Sequence, residues 1–459
     1  MTNYQSIVEP IETSASSISS TPAISVFSDI GTGLDEQRPL LTNSTQESSV
    51  YNDDICFEEP SATLASASIN LSNTILGTGM LAMPAALASV GLIPGIFIII
   101  YAGLTSGLGL YFLARCAEKV GGRNASFSSL SKLTWPKLGI FFDLAIAIKC
   151  FGVAVSYLII MGDLMPQVIR SFFHGAEESQ LLMDRRFWIT LSIFTAVGPL
   201  SFLRKLDSLK YTSLIALFAV AYLVVIVVYH YITPNFPPPP AESIEYFHLT
   251  TKIFAQLPVF IFAFTCHQNI FSVYNELQNN SEKSIIKVIF ASIGSAAFIY
   301  ELVAIMGYLS FGKDVLGNII LEYPQSHFVA YGRLAIVVLV IFSYPLQAHP
   351  CRASIDKILD HLQKPESAII STKRFALVTT IIVIASYFVA ITVSQLDLVL
   401  SFVGSTGSTT ISFILPGLFY FRLHREDRWH WKRLVALFLV FYGFMVMTVC
   451  LTFNIKRLL

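Results

Sequence analysis

Two places in this sequence set flexible or polar residues where an apolar run would otherwise continue. Gly77-Thr78-Gly79 interrupts SINLSNTILGTGMLAMPAALASVG, with Pro84 a turn later. Thr265-Cys266-His267-Gln268-Asn269 interrupts FAQLPVFIFAFTCHQNIFSVYNEL. In a helix interior Gly costs about 1 kcal/mol and Pro about 3 kcal/mol relative to Ala, so the first run is expected to break. Amide N–H groups freed at the start of a half-helix attract a carboxylate, and freed carbonyls attract an ammonium or a cation. The chemistry this suits is non-covalent capture of a zwitterion, and a free amino acid carries both charges. Packing is the competing reading, since glycines ease helix crossings and a polar patch can simply hold neighbouring helices together.

Ionisable groups inside apolar runs are the other chemically capable residues. Lys149 sits in AIAIKCFGVA. A charge at a bilayer centre costs at least about 2.5–3.5 kcal/mol, so Lys149 should face protein, paired or neutral. Asp143, Asp163 and Glu301 are the partners within similar runs. Lys149 then reads as a proton relay, as an ammonium tethered in place of a bound cation, or as half of a structural ion pair. His267 is the better proton carrier, because imidazole titrates near pH 6.5. Arg333 stands near a helix end and is expected to snorkel. Neither a His-rich metal cluster, a nucleophile elbow nor a phosphate loop occurs, so no enzyme and no organic cofactor is expected.

The elements that must position these groups are membrane helices. Of 459 residues 54% are hydrophobic and only 13% charged, against about 25% charged in soluble proteins. That excludes a soluble core, a disulfide-rich secreted domain and a nucleic-acid binder with a basic stripe. A span needs about 20 mostly apolar residues. Eleven runs qualify, near 64–90, 93–115, 138–166, 187–203, 209–231, 250–274, 285–310, 328–349, 374–394, 397–421 and 433–454. The two interrupted runs are the first and the sixth. Interrupted helices five apart suggest a five-plus-five inverted repeat with substrate at the breaks. Residues 63–459 are therefore read as one transmembrane domain.

Residues 1–62 differ in kind. They are rich in Ser and Thr and carry ten acidic residues against one basic, Arg38. Such a segment cannot bury enough apolar surface to offset chain entropy and reads as a disordered acidic tail. Within it Glu36-Gln37-Arg38-Pro39-Leu40-Leu41 matches an acidic dileucine sorting signal, with Glu36, Leu40 and Leu41 read by a clathrin adaptor. With the N-terminus in the cytosol, 21 of the 30 Lys and Arg residues fall on the cytosolic side. That positive-inside bias puts the C-terminus on the far side, in the lumen of a vacuole-like compartment.

NLSNTILGTGMLAMP, DLAIAIKCFGVAVSYLIIMGDLMP, FAFTCHQNIFSVYNEL, SYPLQAHPCR and SFVGSTGSTTISFILPGLFY together resemble the amino acid/auxin permease family. The likeness runs over about 62–455 and is nearest to that family's fungal vacuolar amino acid transporters. These are related to sodium-coupled neutral amino acid transporters. The resemblance implies an all-α LeuT-like fold with eleven spans and secondary transport of amino acids, in a monomer. It places substrate contacts on Gly77, Thr78, Gly79 and Met80 and on Phe264, Thr265 and His267. In sodium-coupled relatives a cation lies between the first and eighth helices, where Asn73 and Ser343 match its ligands. H⁺ is the coupling ion the fungal likeness implies, and Na⁺ at Asn73 and Ser343 stays open. Lys149, Asp163, Glu301 and His267 are the proton candidates. A nutrient sensor built on a transporter body is the remaining alternative.

Overall fold

A computed structural model describes residues 62–173, 175–203, 212–234, 236–248, 250–363, 372–426 and 431–458. Glu36, Leu40 and Leu41 lie outside the described residues. The described chain is helical, with one isolated bridge between Ala62 and Leu277. α1 (Leu64–Ile75) and α2 (Gly79–Ala88) are the halves of one span, bent by 58° at the break. α3 (Leu92–Val120), the short α4 (Phe127–Thr134) and the long α5 (Gly139–Phe172) follow. α6 (Gln180–Met183) leads to α7 (Arg185–Ser192) and α8 (Gly198–Ser201), which join through a π turn at Ile193–Val197. After α9 (Thr212–Ile232) come α10 (Ile253–Ala263) and α11 (Ile270–Glu276), halves of the second broken span. α12 (Glu282–Phe311), α13 (His327–Gln363) and α14 (Thr372–Thr392) are continuous. α15 (Leu396–Val403) runs into α16 (Leu415–Leu423) through π turns at Gly404–Ser408 and Thr410–Ile414, and α17 (Trp431–Leu458) follows.

Among the described residues nine helices are long and apolar enough to span a membrane, and the bent α1–α2 pair makes a tenth. The expected fourth span, 187–203, corresponds to α7–α8, a helical run from Arg185 to Ser201 that falls below the 18-residue length. Its start is set by Asp184, whose carboxylate accepts from the Arg186 N–H at 2.9 Å. The eighth span runs further than expected, through Pro345 and Pro350 to Gln363. Its extension is tied to α14. Arg352 donates to the Thr379 hydroxyl at 3.1 Å and stacks 4.0 Å over the Phe375 ring. Arg374 meets Asp356 at 2.9 Å and Asp360 at 2.6 Å.

Arg333 does not snorkel. It is fully buried and donates to the carbonyls of Ile320 at 3.2 Å and Tyr323 at 2.7 Å and to Gln325 at 3.0 Å. Three acceptors presented by one loop satisfy the guanidinium without water, so the side chain staples the loop after α12 instead of reaching outward.

α5 packs along α13, and the α15–α16 run closes against α5 and α10. The π turns in that run are where glycines touch their neighbours. A Cβ on Gly404 would collide with the Pro258 carbonyl, and one on Gly407 would lie 2.8 Å from Lys149 Cβ. Such close backbone approach is how membrane helices gain packing without a hydrophobic driving force between them.

Candidate functional site

The two breaks meet. A Cβ added to Gly79 at the start of α2 would stand 2.7 Å from Ala263 Cβ and 2.9 Å from Ala263 Cα at the end of α10. Only a glycine lets these segments come so close. From α12, the buried Tyr300 hydroxyl lies 2.6 Å from the Ile75 carbonyl and 3.0 Å from the Ala263 carbonyl. The Gly77 backbone also bonds to this hydroxyl. Phe264 packs edge-on to the Tyr300 ring at 5.1 Å. One side chain thus strings the last carbonyls of both first halves together. Residues at helix ends have orphan carbonyls that need such a donor.

The second halves are paired with first halves in a regular way. Asn269 Nδ2, at the head of α11, donates to the Thr74 hydroxyl of α1 at 2.8 Å. At the other end of α11 the Ala62 N–H donates to the Glu276 carbonyl at 3.1 Å, and the Gln278 N–H returns to the Ala62 carbonyl at 3.0 Å. Arg123 holds the Asn275, Leu277 and Gln278 carbonyls at 2.9, 2.6 and 2.9 Å. α1 goes with α11, and α2 goes with α10. The junctions between these pairs are the breaks.

A cavity of about 600 Å³ begins at the first break. Gly77, Thr78 and Met80 line it, as do Asn70, Asn73 and Thr74 of α1. Tyr157 of α5, Gln268, Asn269 and Asn275 of the second broken span, and Ser343 and Gln347 of α13 complete its polar wall. It extends to one end of the molecule only, past Ser126 and Ser128 to Ser354 and Lys357. Lys357, the charged residue in this wall, is 3.9 Å from Asp143. Amide and hydroxyl groups dominate, so the wall can hydrogen-bond both ends of a zwitterion.

The expected site residues therefore divide. Gly77, Thr78, Met80, Asn73 and Ser343 line one cavity, and Gly79 turns against Ala263. Asn73 and Ser343 face the same space from the first and eighth spans, with oxygens of a kind that suits a hard monovalent cation. Phe264, Thr265 and His267 lie behind the wall, fully or nearly fully buried. Ser106 of α3 donates to the Phe264 carbonyl at 2.7 Å. His267 Nε2 is 3.1 Å from the Ser106 carbonyl, and Nδ1 is 3.1 Å from the Ser412 hydroxyl. A carbonyl only accepts, so Nε2 carries the proton and Nδ1 accepts from Ser412. Ser412 in turn meets the Thr265 hydroxyl at 3.2 Å. The second break is thereby wired to α3 and to the π-helical run.

The remaining charges do not pair as expected. Asp163 takes Arg185 at 2.8 Å, and Asp143 lies by Lys357. Asp163 is about 21 Å from Lys149 along one helix, at 1.5 Å per residue. The ion-pair reading of Lys149 therefore fails: it forms no ion pair among the described residues. Buried beside Gly407, it is near enough to Cys266 and His267 to interact electrostatically. Glu301 has both carboxylate oxygens buried without a hydrogen-bond partner. Tyr300, Tyr157 and Gln347 were not legible as site residues. Tyr157 bonds to Gln347 and Ser343 across the cavity wall. Gln347, polar within SYPLQAHP, was the one with a sequence signal.

Two broken, bent helices around a polar cavity open at one end define a membrane transporter. The chain shares its fold with solved transporters of the LeuT-like class. A mutant manganese transporter from Eremococcus coleocola superposes with a TM-score of 0.55 at 10% identity, covering 85% of each chain. A Na⁺-coupled sialic acid symporter gives 0.53 at 14%, covering 85% of this chain and 89% of that one. Residues 60–456 match the family described as transmembrane amino acid transporter protein, and the chain belongs to that family. Vacuolar amino acid transporter 5 of Schizosaccharomyces pombe is 45% identical over 86% of this chain and 94% of its own length. Vacuolar amino acid transporter 6 of Saccharomyces cerevisiae is 38% identical over 86% and 99%. These relatives are transporters and not enzymes.

Proposed function

We propose that this protein is a secondary active transporter that moves amino acids across the vacuolar membrane, coupled to protons, by alternating access. The observation that carries the reading is the cavity at the first break, polar-walled and open at one end only. The cytosolic face assigned by the basic loops is the end where Ser126, Ser128 and Lys357 lie, so the cavity is that of a cytosol-facing state. α7–α8 acts as the short fourth of eleven spans, and the broken spans head the two halves of a five-plus-five repeat. α1 with α11 moves as one body and α2 with α10 stays as the other, and exchange of access is a hinge at the two breaks. The N-terminus is cytosolic and the C-terminus lumenal.

A lumen about two pH units more acidic than the cytosol stores roughly 2.7 kcal/mol per proton, enough for about a hundredfold gradient. Uptake of labelled amino acids into vesicles, with pH and sodium gradients varied separately, tests the function. Stimulation by a pH gradient and indifference to sodium is the expected pattern. Sodium dependence lost on Asn73→Ala or Ser343→Ala would move the coupling ion to Na⁺ on the cavity wall.

His267 is the proposed proton site. Its imidazole would accept a proton at Nδ1, and the Ser412 hydroxyl would swing to accept from it and donate onward to Thr265. His267→Gln is expected to flatten the pH dependence of net transport while exchange at equal pH persists. An unchanged pH profile would pass the role to Lys149, Glu301 or Asp163.

The dileucine motif supplies the address. Leu40→Ala with Leu41→Ala is expected to send a fluorescent fusion to the plasma membrane with transport intact. Unaltered vacuolar fluorescence would remove the clathrin-adaptor role.

A further inference from the structure

α3 and α12 pack along each other, yet three glycines hold them apart on one side. Gly103 and Gly107 of α3 and Gly294 of α12 line an apolar groove of about 450 Å³, walled by Leu104, Phe290 and isoleucines of both helices. Leu104 is 68% and Phe290 80% exposed, and nothing stands within 4 Å of a Cβ on Gly294. The groove therefore opens outward, which for a spanning chain means toward lipid. It is unlike the substrate cavity in having almost no polar wall, and it belongs to no broken helix.

Its chemistry changes at one end. There Tyr111 lines the groove, donating to Glu282 Oε1 at 3.0 Å and accepting from Lys432 Nζ at 2.8 Å. Arg115 holds the other Glu282 oxygen at 3.0 Å. The local carboxylate is fully engaged. Lys283 and Lys287 share the α12 stripe that carries Phe290 and Gly294, at the three- and four-residue spacing of one helix face. Both lysines are exposed and form no ion pair among the described residues.

We propose that this groove is a binding site for an anionic phospholipid. One acyl chain lies along Gly103, Gly107 and Gly294, and the phosphate sits between Lys283 and Lys287. A zwitterionic lipid would fill the groove but answer the two lysines poorly. A soluble anion would satisfy the lysines and leave the apolar wall bare. Basic residues at the end of a span beside an apolar groove hold anionic headgroups at about fivefold per residue. The site also adjoins the transport machinery: a Cβ on Gly103 would stand 3.3 Å from the Phe264 ring of the second break. An occupied groove thus backs the segment that Ser106 and Tyr300 hold.

The test is lipid retention by the purified full-length chain, measured by native mass spectrometry after equilibration with phosphatidylserine and phosphatidylcholine. It stands whether or not the transport reading does. Wild type is expected to keep phosphatidylserine in preference to phosphatidylcholine. Lys283→Gln with Lys287→Gln should lose that preference by about twentyfold, two lysines at about fivefold each. Gly294→Leu, which fills the groove from its open side, should lose both lipids. Phe290→Ala, which widens the groove, should keep the preference. Equal retention of the two lipids by wild type overturns the proposal. So does undiminished retention by Gly294→Leu, which would put the headgroup on the surface and no chain in the groove.

Discussion

Tyr300→Phe is expected to abolish most transport in a protein that still folds and sorts. The substitution removes one oxygen and keeps the ring, so the edge-on contact with Phe264 survives. What is lost is the donor between the Ile75 and Ala263 carbonyls and the acceptor for the Gly77 backbone. Tyr300 is fully buried, and no water reaches these groups to replace it. A buried acceptor left without its partner costs about 1–3 kcal/mol, and here two share the loss. The cost falls on the hinge: the ends of α1 and α10 are released from each other and from α12. The expected result is a fall of at least about tenfold in the maximal uptake rate, from about 1.4 kcal/mol or more lost at the hinge. Binding measured on the purified protein should weaken less than the rate, because Tyr300 lies outside the cavity wall. Uptake within twofold of wild type would show that the strap is dispensable.

Much of the fold could be read from the residues, and the reasons are physical. Apolar runs of spanning length announce helices whatever their packing, and Gly77, Gly79 and Pro84 announce a break by propensity alone. The second break was legible from polarity, since five polar residues in a row do not face lipid. Packing was less accessible. α13 continues past two prolines because Arg352 and Arg374 tie its extension to α14, and neither contact has a local pattern. The partners of Lys149 were assigned by charge alone, and helix geometry puts Asp163 about 21 Å away. Site residues divided the same way. Asn73, Thr78 and Ser343 line the cavity, whereas His267 and Thr265 are spent on a network through Ser106 and Ser412. Tyr300 had no signal: a tyrosine in FIYELVA reads as packing until its hydroxyl is seen at both breaks.

The two glycines of the first break should respond oppositely to the same methyl group. Gly77 has room, for the nearest atom to an added Cβ is the Ile75 carbonyl oxygen at 4.0 Å. Gly77 lines the cavity, so Gly77→Ala should fold as wild type and change mainly the apparent affinity for substrate. Gly79 has none, and its Cβ would meet both Ala263 Cβ at 2.7 Å and Ala263 Cα at 2.9 Å. The Cα belongs to the backbone of α10, so relief requires α2 and α10 to part. Overpacking of that kind costs about 1–3 kcal/mol, and a β-branched Val adds further strain. Gly79→Ala is therefore expected to lower the melting temperature of the purified protein and reduce uptake by about tenfold or more, with Gly79→Val worse. Because the clash is with one methyl and the carbon beneath it, the pair can be exchanged. Gly79→Ala combined with Ala263→Gly moves the methyl across the contact and leaves one Cβ between the segments, as in wild type. Coupled neighbours of this kind depart from additivity by about 0.5–3 kcal/mol. The double variant should regain most of the lost melting temperature and most of the uptake. If it is as impaired as the sum of the two single variants, Gly79 acts on the substrate space and the contact between the broken helices is incidental.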